Sequence, residues 1–138
     1  MQVREIMTKN PEIVEETDLI RDALGKMLEL DVRHIPVVRS GKLVGMLSDR
    51  DIRDYSLPAS EEYYEPANAR AKLDQSVATI MSADVTSVFQ NTTLLEMVDL
   101  MIDDKYGALP VIEGSDERLV GIVSYIDVLK AVRSYLEE

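Results

Sequence analysis

Apolar and polar positions along the chain follow a pattern that occurs twice. Short apolar runs predict strands near 12–15 and 86–89. After each run, apolar residues at helical spacing predict a helix, near 18–30 and near 92–104. The apolar stripe of the first helix is predicted from five residues, Leu19, Ala23, Leu24, Met27 and Leu28. The expected N-caps are Thr17 or Asp18 for the first helix and Thr92 or Thr93 for the second.

Two more strands and a turn follow each of these helices. The runs "RHIPVV" and "ALPVI" predict the first strand of each pair, and glycine-containing turns at 39–42 and 113–117 predict hairpins. A serine then precedes another helical pattern in both halves. The predicted order is therefore strand–helix–strand–strand–helix, twice.

The two halves also align residue by residue. Shifted by 74 positions, "VREIM" (3–7) meets "VATIM" (77–81). Shifted by 76, "LVGMLSDRDI" (43–52) meets "LVGIVSYIDV" (119–128), with Leu, Val, Gly, Ser and Asp identical in place. Repeats of this length indicate that each unit buries its apolar face against its partner.

The alignment sets the predicted domain boundaries. We expect a first repeat at 1–56, a linker at 57–75 and a second repeat at 76–138. The linker is acidic and contains Pro58 and Pro66, and part of it, near 67–74, is predicted to be helical.

Composition narrows the function classes. The 138 residues are 46% apolar, enough for a real core, and the absence of cysteine excludes disulfides and thiolate metal sites. No apolar run reaches the roughly 18 residues of a membrane span, and no signal-peptide core is present, so we expect a cytoplasmic protein. The net charge of −11 argues against nucleic acid as a partner.

The repeated motif G-x-x-S-x-x-D has two interpretations. Ser48 with Asp51, and Ser124 with Asp127, fit a capping box, in which hydroxyl and carboxylate each satisfy a free amide at the helix start. Capping does not explain the glycine three residues before each serine, because glycine within a strand is normally unfavourable. A position without a side chain admits a ligand, and helix N-termini attract phosphate. Both interpretations remain open at this point.

The motifs and their order resemble the cystathionine-β-synthase (CBS) domain in its tandem pair. The resemblance covers 1–56 and 76–136 and depends on the paired "IM" openings, the two proline-containing strands and the two G-x-x-S-x-x-D motifs. The chain looks most similar to stand-alone bacterial or archaeal CBS proteins, including the acetoin-utilisation type. This implies an α+β fold, with two β-α-β-β-α repeats packed about a pseudo-two-fold axis as a Bateman-type module.

The resemblance also implies where a ligand would bind. In CBS domains that bind adenine nucleotides, the motif serine contacts phosphate and the motif aspartate contacts ribose. Basic residues before the strand proline and inside the motif reach the phosphates, and Arg33, His34 and Arg50 hold those places in the first repeat. The second repeat has Gly107, Ala108 and Ile126 there, without a cation, and the two small residues leave room for a base or a phosphate tail. The remaining expected contacts are wall residues beside the base, Ile13 and Val88.

The residues have simpler interpretations as well. Arg50 can pair with Asp54 on the helix surface, and an acidic first helical turn needs no metal. Three methionines, Met27, Met97 and Met101, are expected to fill the core. There is no Walker loop, no plausible Ser-His-Asp set, no zinc-ligand spacing and no Rossmann fingerprint, so we predict no catalytic residue and no enzyme.

The predicted function is a sensor. The chain is expected to bind AMP, ADP, ATP or S-adenosylmethionine in the clefts between the repeats, where the three cations could serve either cleft, and to signal by a change of shape or partner. Mg²⁺ is expected only as carried by ATP, and no tightly bound cofactor is predicted. The chain is expected to form a homodimer through its helices, including "VLKAVRSYLEE", and to signal to a separate effector protein. The alternatives are a structural or protein-interaction module whose serines and aspartates act only as caps, a nucleic-acid-binding pair, and a sensor of a dinucleotide.

Overall fold

The computed structural model describes residues 1–56 and 66–137. In chain order the strands are β1 (Thr8–Lys9), β2 (Val14–Glu15), β3 (His34–Arg39), β4 (Lys42–Ser48), β5 (Val88–Phe89), β6 (Ala108–Glu113) and β7 (Arg118–Ser124). The helices are α1 (Ile20–Leu30), α2 (Asp49–Ser56), α3 (Pro66–Leu73), α4 (Leu94–Asp104) and α5 (Tyr125–Leu136). Both repeats follow the predicted strand–helix–strand–strand–helix order, and the α+β class is confirmed. None of the helices in the described ranges is long and apolar enough to span a bilayer.

The chain folds into two compact units, and their residue ranges differ from those of the sequence repeats. The first unit is Glu12–Val85, and the second unit is Met1–Pro11 together with Thr86–Glu138. We call residues 1–11 and 76–85 the opening segments of the two repeats. Each opening segment belongs to the unit that contains the hairpin of the other repeat. The predicted linker residues 57–65, with Pro58, lie outside the described residues.

Each unit contains a small mixed sheet around its hairpin. In the first unit β3 pairs antiparallel with β4 and parallel with β2, and in the second unit β6 pairs in the same way with β7 and β5. The predicted hairpin turns are confirmed, with Gly41 and Gly114 at positive φ, where a side chain would be strained. A register irregularity follows the proline of each hairpin at corresponding places, Val37/Val38 and Val111/Ile112.

The buried face of α1 was predicted correctly at its centre and wrongly at its two edges. Ala23 and Met27 are buried, but Leu28 is 73% exposed and Leu19 is 37% exposed. Ile20, which was left out of the stripe, is fully buried. The buried face therefore follows the spacing i, i+3, i+7 from Ile20, with Leu24 packed at its margin.

Only one of the two predicted helix caps forms. Thr93 caps α4, because its hydroxyl accepts the N–H of Glu96 at 3.2 Å. The N-cap of α1 is Leu19, which has no side-chain cap, so Thr17 and Asp18 were wrong as caps. The carboxylate of Asp18 accepts the N–H of Glu15 at 2.8 Å instead.

The opening segments complete the two cores. Val3 is fully buried among residues of the second unit, and Val77 is fully buried among residues of the first. In the second unit β1 pairs antiparallel with β7. In the first unit Met46 and Ser82 exchange two main-chain hydrogen bonds of 2.9 Å. Removal of an opening segment would therefore expose a core in either unit.

Candidate functional site

The two S-x-x-D motifs are capping boxes. Where β4 meets α2, the N–H of Ser48 donates to Asp51 Oδ2 and the N–H of Asp51 donates to Ser48 Oγ, both at 3.0 Å. At the start of α5 the corresponding distances are 2.8 Å and 3.4 Å, between Ser124 and Asp127. The capping interpretation of the motif is confirmed in both repeats.

Capping leaves part of each motif available to a ligand. A serine hydroxyl that accepts a hydrogen bond still has one proton to donate, and an aspartate that uses Oδ2 still has Oδ1. The Ser124 hydroxyl lies 3.3 Å from Asp127 Oδ2 and donates to it. Among the described residues, the Ser48 hydroxyl makes no such bond. The proton of Ser48 is thus the freer of the two to reach an anion.

The motif glycines are covered by the protein's own chain. A Cβ on Gly45 would lie 2.6 Å from Met81 Sδ and 3.0 Å from the carbonyl oxygen of Ser82. A Cβ on Gly121 would lie 2.8 Å from Met7 Sδ and 2.9 Å from the carbonyl oxygen of Thr8. The sequence interpretation that these glycines make room for a ligand was wrong, because the opening segment fills that space in each unit.

Three basic residues surround the first capping box. His34 begins β3 directly opposite Ser48, and the carbonyl of Arg33 accepts the N–H of Asp49 at 3.0 Å. Arg50 lies in the first turn of α2, next to Asp51. The backbone therefore brings all three predicted cations to the S-x-x-D motif of the first repeat.

Both arginines are available for a ligand. Arg33 and Arg50 are exposed, and within residues 1–56 and 66–137 neither forms an ion pair. The expected surface pair of Arg50 with Asp54 is absent from the described contacts, and the pair that does form on α2 joins Arg53 to Asp49 at 3.8 Å. Guanidinium and hydroxyl groups are donors that recognise phosphate, and the main chain brings two arginines to the motif that carries the Ser48 hydroxyl.

His34 is held toward its neutral form. Burial lowers the pKa of His34, and the positive charge of Arg33 lowers it further, whereas Asp49 and Asp51 raise it. Burial has the largest effect, so the pKa lies below the ordinary value for histidine. An approaching anion would favour the protonated form and add a third positive charge to the site.

The second capping box has the same backbone and different side chains. Ala108 lies opposite Ser124, and the carbonyl of Gly107 accepts the N–H of Tyr125 at 3.1 Å, as Arg33 does for Asp49. Ile126, the counterpart of Arg50, is exposed and apolar. That this repeat lacks a phosphate partner of its own stays a prediction.

The two predicted wall residues differ in accessibility. Val88 is only 2% exposed and is part of the core of the second unit. Ile13 is half-buried, and its carbonyl accepts a hydrogen bond from Lys26 Nζ at 2.6 Å. The sequence did not predict this contact of Lys26 with Ile13, because no motif marks a lysine on a helix surface.

A tyrosine of the second unit was also missed. Tyr106 Oη lies 3.0 Å from Thr86 Oγ1, so the segment before β5 is tied to the residue that precedes Gly107. The alignment of the repeats places Val32 at the corresponding position of the first repeat, so only a comparison of the two halves would have drawn attention to this aromatic ring.

In the described ranges, no group of three or more metal-ligating side chains is arranged to hold an ion.

The chain is similar in sequence and in fold to proteins with CBS domains. The family model for the CBS domain matches residues 3–58 and 77–134. The crystal structure of the AcuB protein from Vibrio cholerae is 30% identical, covers 99% of this chain and 93% of its own, and superposes with a TM-score of 0.83. The structure of CBSX2 in complex with AMP is 25% identical, with a TM-score of 0.82 and coverage of 96% and 97%.

Other likenesses are more limited. The CBS domain pair of MJ0100 in complex with 5′-methylthioadenosine and S-adenosyl-L-methionine is 23% identical over 98% of both chains, with a TM-score of 0.78, and shows the fold alone. The chain spans only 22%, 15%, 46% and 28% of the first four curated relatives that it matches. Those relatives are longer proteins with further parts.

Proposed function

The chain belongs to the CBS-domain family, and on that premise we propose that it is a regulatory module that binds an adenosine-containing ligand. The observation that carries the proposal is the meeting of Arg33, His34 and Arg50 at the Ser48–Asp51 motif. In a chain with a net charge of −11, two arginines that form no ion pair within residues 1–56 and 66–137 lie at one motif, and an anionic ligand would balance their charge. The AMP bound by CBSX2, a protein of the same fold, supports this ligand class.

Each side chain has a role in the proposal. Arg33 and Arg50 bind phosphate oxygens through charge-assisted hydrogen bonds, and the free proton of the Ser48 hydroxyl adds a third donor. Asp51 Oδ1 accepts from a ribose hydroxyl, while Oδ2 keeps its capping bond. Since the cations favour phosphate, AMP, ADP and ATP are preferred to S-adenosylmethionine, and any Mg²⁺ arrives with ATP.

The second motif has a lesser part. Asp127 offers the same carboxylate for a ribose, and Gly107 and Ala108 leave space beside it. The proposed walls are Ile13 in the first unit and, in the second, the main chain at Val88, whose side chain is buried in the core. No cation of this repeat stands at its own motif. A ligand held at Ser124 and Asp127 alone would therefore bind without phosphate selectivity.

The output is proposed to be a change in affinity for a separate effector protein, without a reaction on this chain. We also propose that the chain acts in the cytoplasm as a homodimer. Eight large apolar side chains on α4 and α5 are exposed, and five of them carry the proposal, Leu95, Ile102, Leu129, Val132 and Tyr135. The exposed charges of these helices are complementary, with Asp99 and Asp103 on α4 and Lys130 and Arg133 on α5. A second copy that packs α4 against α5 would cover both the apolar and the charged positions.

Light scattering tests the dimer. Leu129→Glu is expected to convert a dimer to a monomer, because it places a charge in the apolar surface. Leu28→Glu is the matched control, since Leu28 is a leucine of comparable exposure on α1 of the first unit, outside the proposed interface. A protein that is monomeric before substitution, or that stays dimeric as Leu129→Glu, contradicts the proposal.

Titration calorimetry tests the ligand. The nucleotide-stripped protein is titrated with AMP, ADP, ATP and S-adenosylmethionine, with GTP as the control. We expect saturable binding of at least one phosphate-bearing adenosine ligand, no heat with GTP, and loss of binding in Asp51→Asn. Silence for all ligands in a folded protein would favour the alternative that the confirmed capping boxes support, a structural or protein-interaction module. The net charge argues against the nucleic-acid alternative.

A further inference from the structure

Two methionines, Met7 and Met81, occupy equivalent positions in the opening segments, and each rests on a glycine. Their sulfur atoms lie so close to Gly121 and Gly45 that an added Cβ would be 2.8 Å and 2.6 Å away. In both units the thioether therefore packs directly on the main chain of the central hairpin strand. The arrangement is the same although the two segments share few other residues.

The main chain fixes both methionines in place. The N–H of Met7 donates to the carbonyl of Val3, and the N–H of Met81 donates to the carbonyl of Val77, each at 3.0 Å. Both valines are fully buried. Each methionine therefore belongs to a segment whose anchor lies in the core, so that a weaker sulfur–glycine contact bears on how that segment is held.

Exposure separates these two methionines from those of the cores. Met7 and Met81 are half-buried, whereas Met27 is 2% exposed and Met97 is fully buried. The chain contains no cysteine, so no thiol competes for an oxidant. Met7 and Met81 are therefore more accessible to a small oxidant than the methionines inside the cores.

We propose that Met7 and Met81 form a matched pair of oxidation sites at which conversion to the sulfoxide by a peroxide releases the opening segments. The sulfur attacks one peroxide oxygen, the O–O bond breaks, the sulfur keeps that oxygen as sulfoxide, and the peroxide is reduced to water or an alcohol. The product is polar and larger than the thioether. A polar sulfoxide packs less favourably on the glycine main chain than the apolar thioether does, so the contact that holds each opening segment against its hairpin is weakened.

Peroxide titration of the full chain tests this. Peptide mapping by mass spectrometry should show Met7 and Met81 oxidised about tenfold faster than Met27 and Met97, because rate follows exposure. The oxidised protein should melt about 5 °C lower. Hydrogen exchange should accelerate within 1–11 and 76–85.

Variants locate the effect. Met7→Leu with Met81→Leu conserves volume and should melt close to the wild type before treatment and keep its melting temperature after peroxide. Met101→Leu is the matched control, because Met101 is half-buried on α4 without a glycine beneath it, and it should lose stability in peroxide as the wild type does. The proposal is overturned if Met7 and Met81 oxidise at the same rate as Met27 and Met97. It is also overturned if Met7 and Met81 oxidise with no change in the melting temperature or in hydrogen exchange. The oxidation rates are measured in the wild type, so they are decisive even if a variant misfolds.

Discussion

The two capping boxes share a backbone and differ in chemistry. Each serine and aspartate exchange the same pair of hydrogen bonds, and each helix-start amide donates to the residue before the hairpin. Around the first box stand Arg33, His34 and Arg50, and around the second stand Gly107, Ala108 and Ile126. The comparison teaches that the motif itself builds the helix start, and our proposal assigns recognition of an anion to the three neighbouring positions.

The largest expected effect is on ligand binding. Arg33→Ala with Arg50→Ala should weaken the binding of a phosphate-bearing adenosine ligand about a hundredfold, since hydrogen bonds to charged groups contribute roughly 1.5–3 kcal/mol each. Arg53→Ala removes a charge from the same helix, at a residue already paired with Asp49, and should change calorimetric affinity by little. Equal losses in both proteins would mean that net charge, and not the site, governs binding.

The glycines are expected to show the next largest effect. Gly121→Ala should destabilise the protein by about 1–3 kcal/mol, because the added Cβ meets the Thr8 carbonyl oxygen at 2.9 Å. Gly45→Ala should cost a similar amount, because its Cβ would meet the Met81 sulfur at 2.6 Å and the Ser82 carbonyl oxygen at 3.0 Å.

Denaturant unfolding measures both glycine variants. The control is Gly25→Ala, on α1, where nothing lies within 4 Å and alanine should stabilise the helix by about 1 kcal/mol. If Gly45→Ala and Gly121→Ala unfold like the wild type, the opening segments do not depend on contact with the glycines.

The caps give a smaller and nearly symmetric effect. Ser48→Ala and Ser124→Ala should each lower the free energy of unfolding by about 1 kcal/mol, since each removes one acceptor for a helix-start amide. Ligand affinity sharpens the comparison, because only Ser48→Ala also removes a donor beside the arginines. A larger loss of affinity in Ser124→Ala would place the phosphates at the second motif and reverse our assignment.

The smallest expected effect is on how the stability of the protein depends on pH. Burial lowers the pKa of His34 in the folded protein, so the folded state binds its proton less readily than the unfolded state. Its contribution to stability is complete above the unfolded pKa of about 6.5 and decreases as the pH falls through that value. His34→Ala, which copies the second repeat, should flatten this slope in melting curves recorded from about pH 7.5 to pH 5.5. An unchanged slope would assign the pH dependence to other groups.

Sequence predicted the local structure well where neighbours in the chain determine it. The runs around Pro36 and Pro110 form the predicted hairpins, and Ser48 and Ser124 form the predicted boxes, because each depends on residues within a few positions. Asp18 was wrong as the cap of α1, because its carboxylate accepts the N–H of Glu15 instead of a helix-start amide. The sequence does not show which of the two amides it will bind.

Contacts between distant residues were beyond sequence pattern. Gly45 was interpreted as space for a ligand because its true neighbour, Met81, lies in the next repeat. Gly121 is covered by Met7, near the other end of the chain. In the same way, the bond from Lys26 to the Ile13 carbonyl joins a helix to a preceding strand, and periodicity carries no signal for it.

The opening segments also set an order of events during synthesis. Everything in the first unit has been made once residue 85 has left the ribosome, so that unit can close its core while the remainder is still being translated. Residues 1–11 are made before the first unit, yet their partners in β7 and at Thr92 are made after it. This opening segment therefore waits for the second unit before it can dock, and a prolonged stall in translation before β7 would leave Val3 without a core to enter.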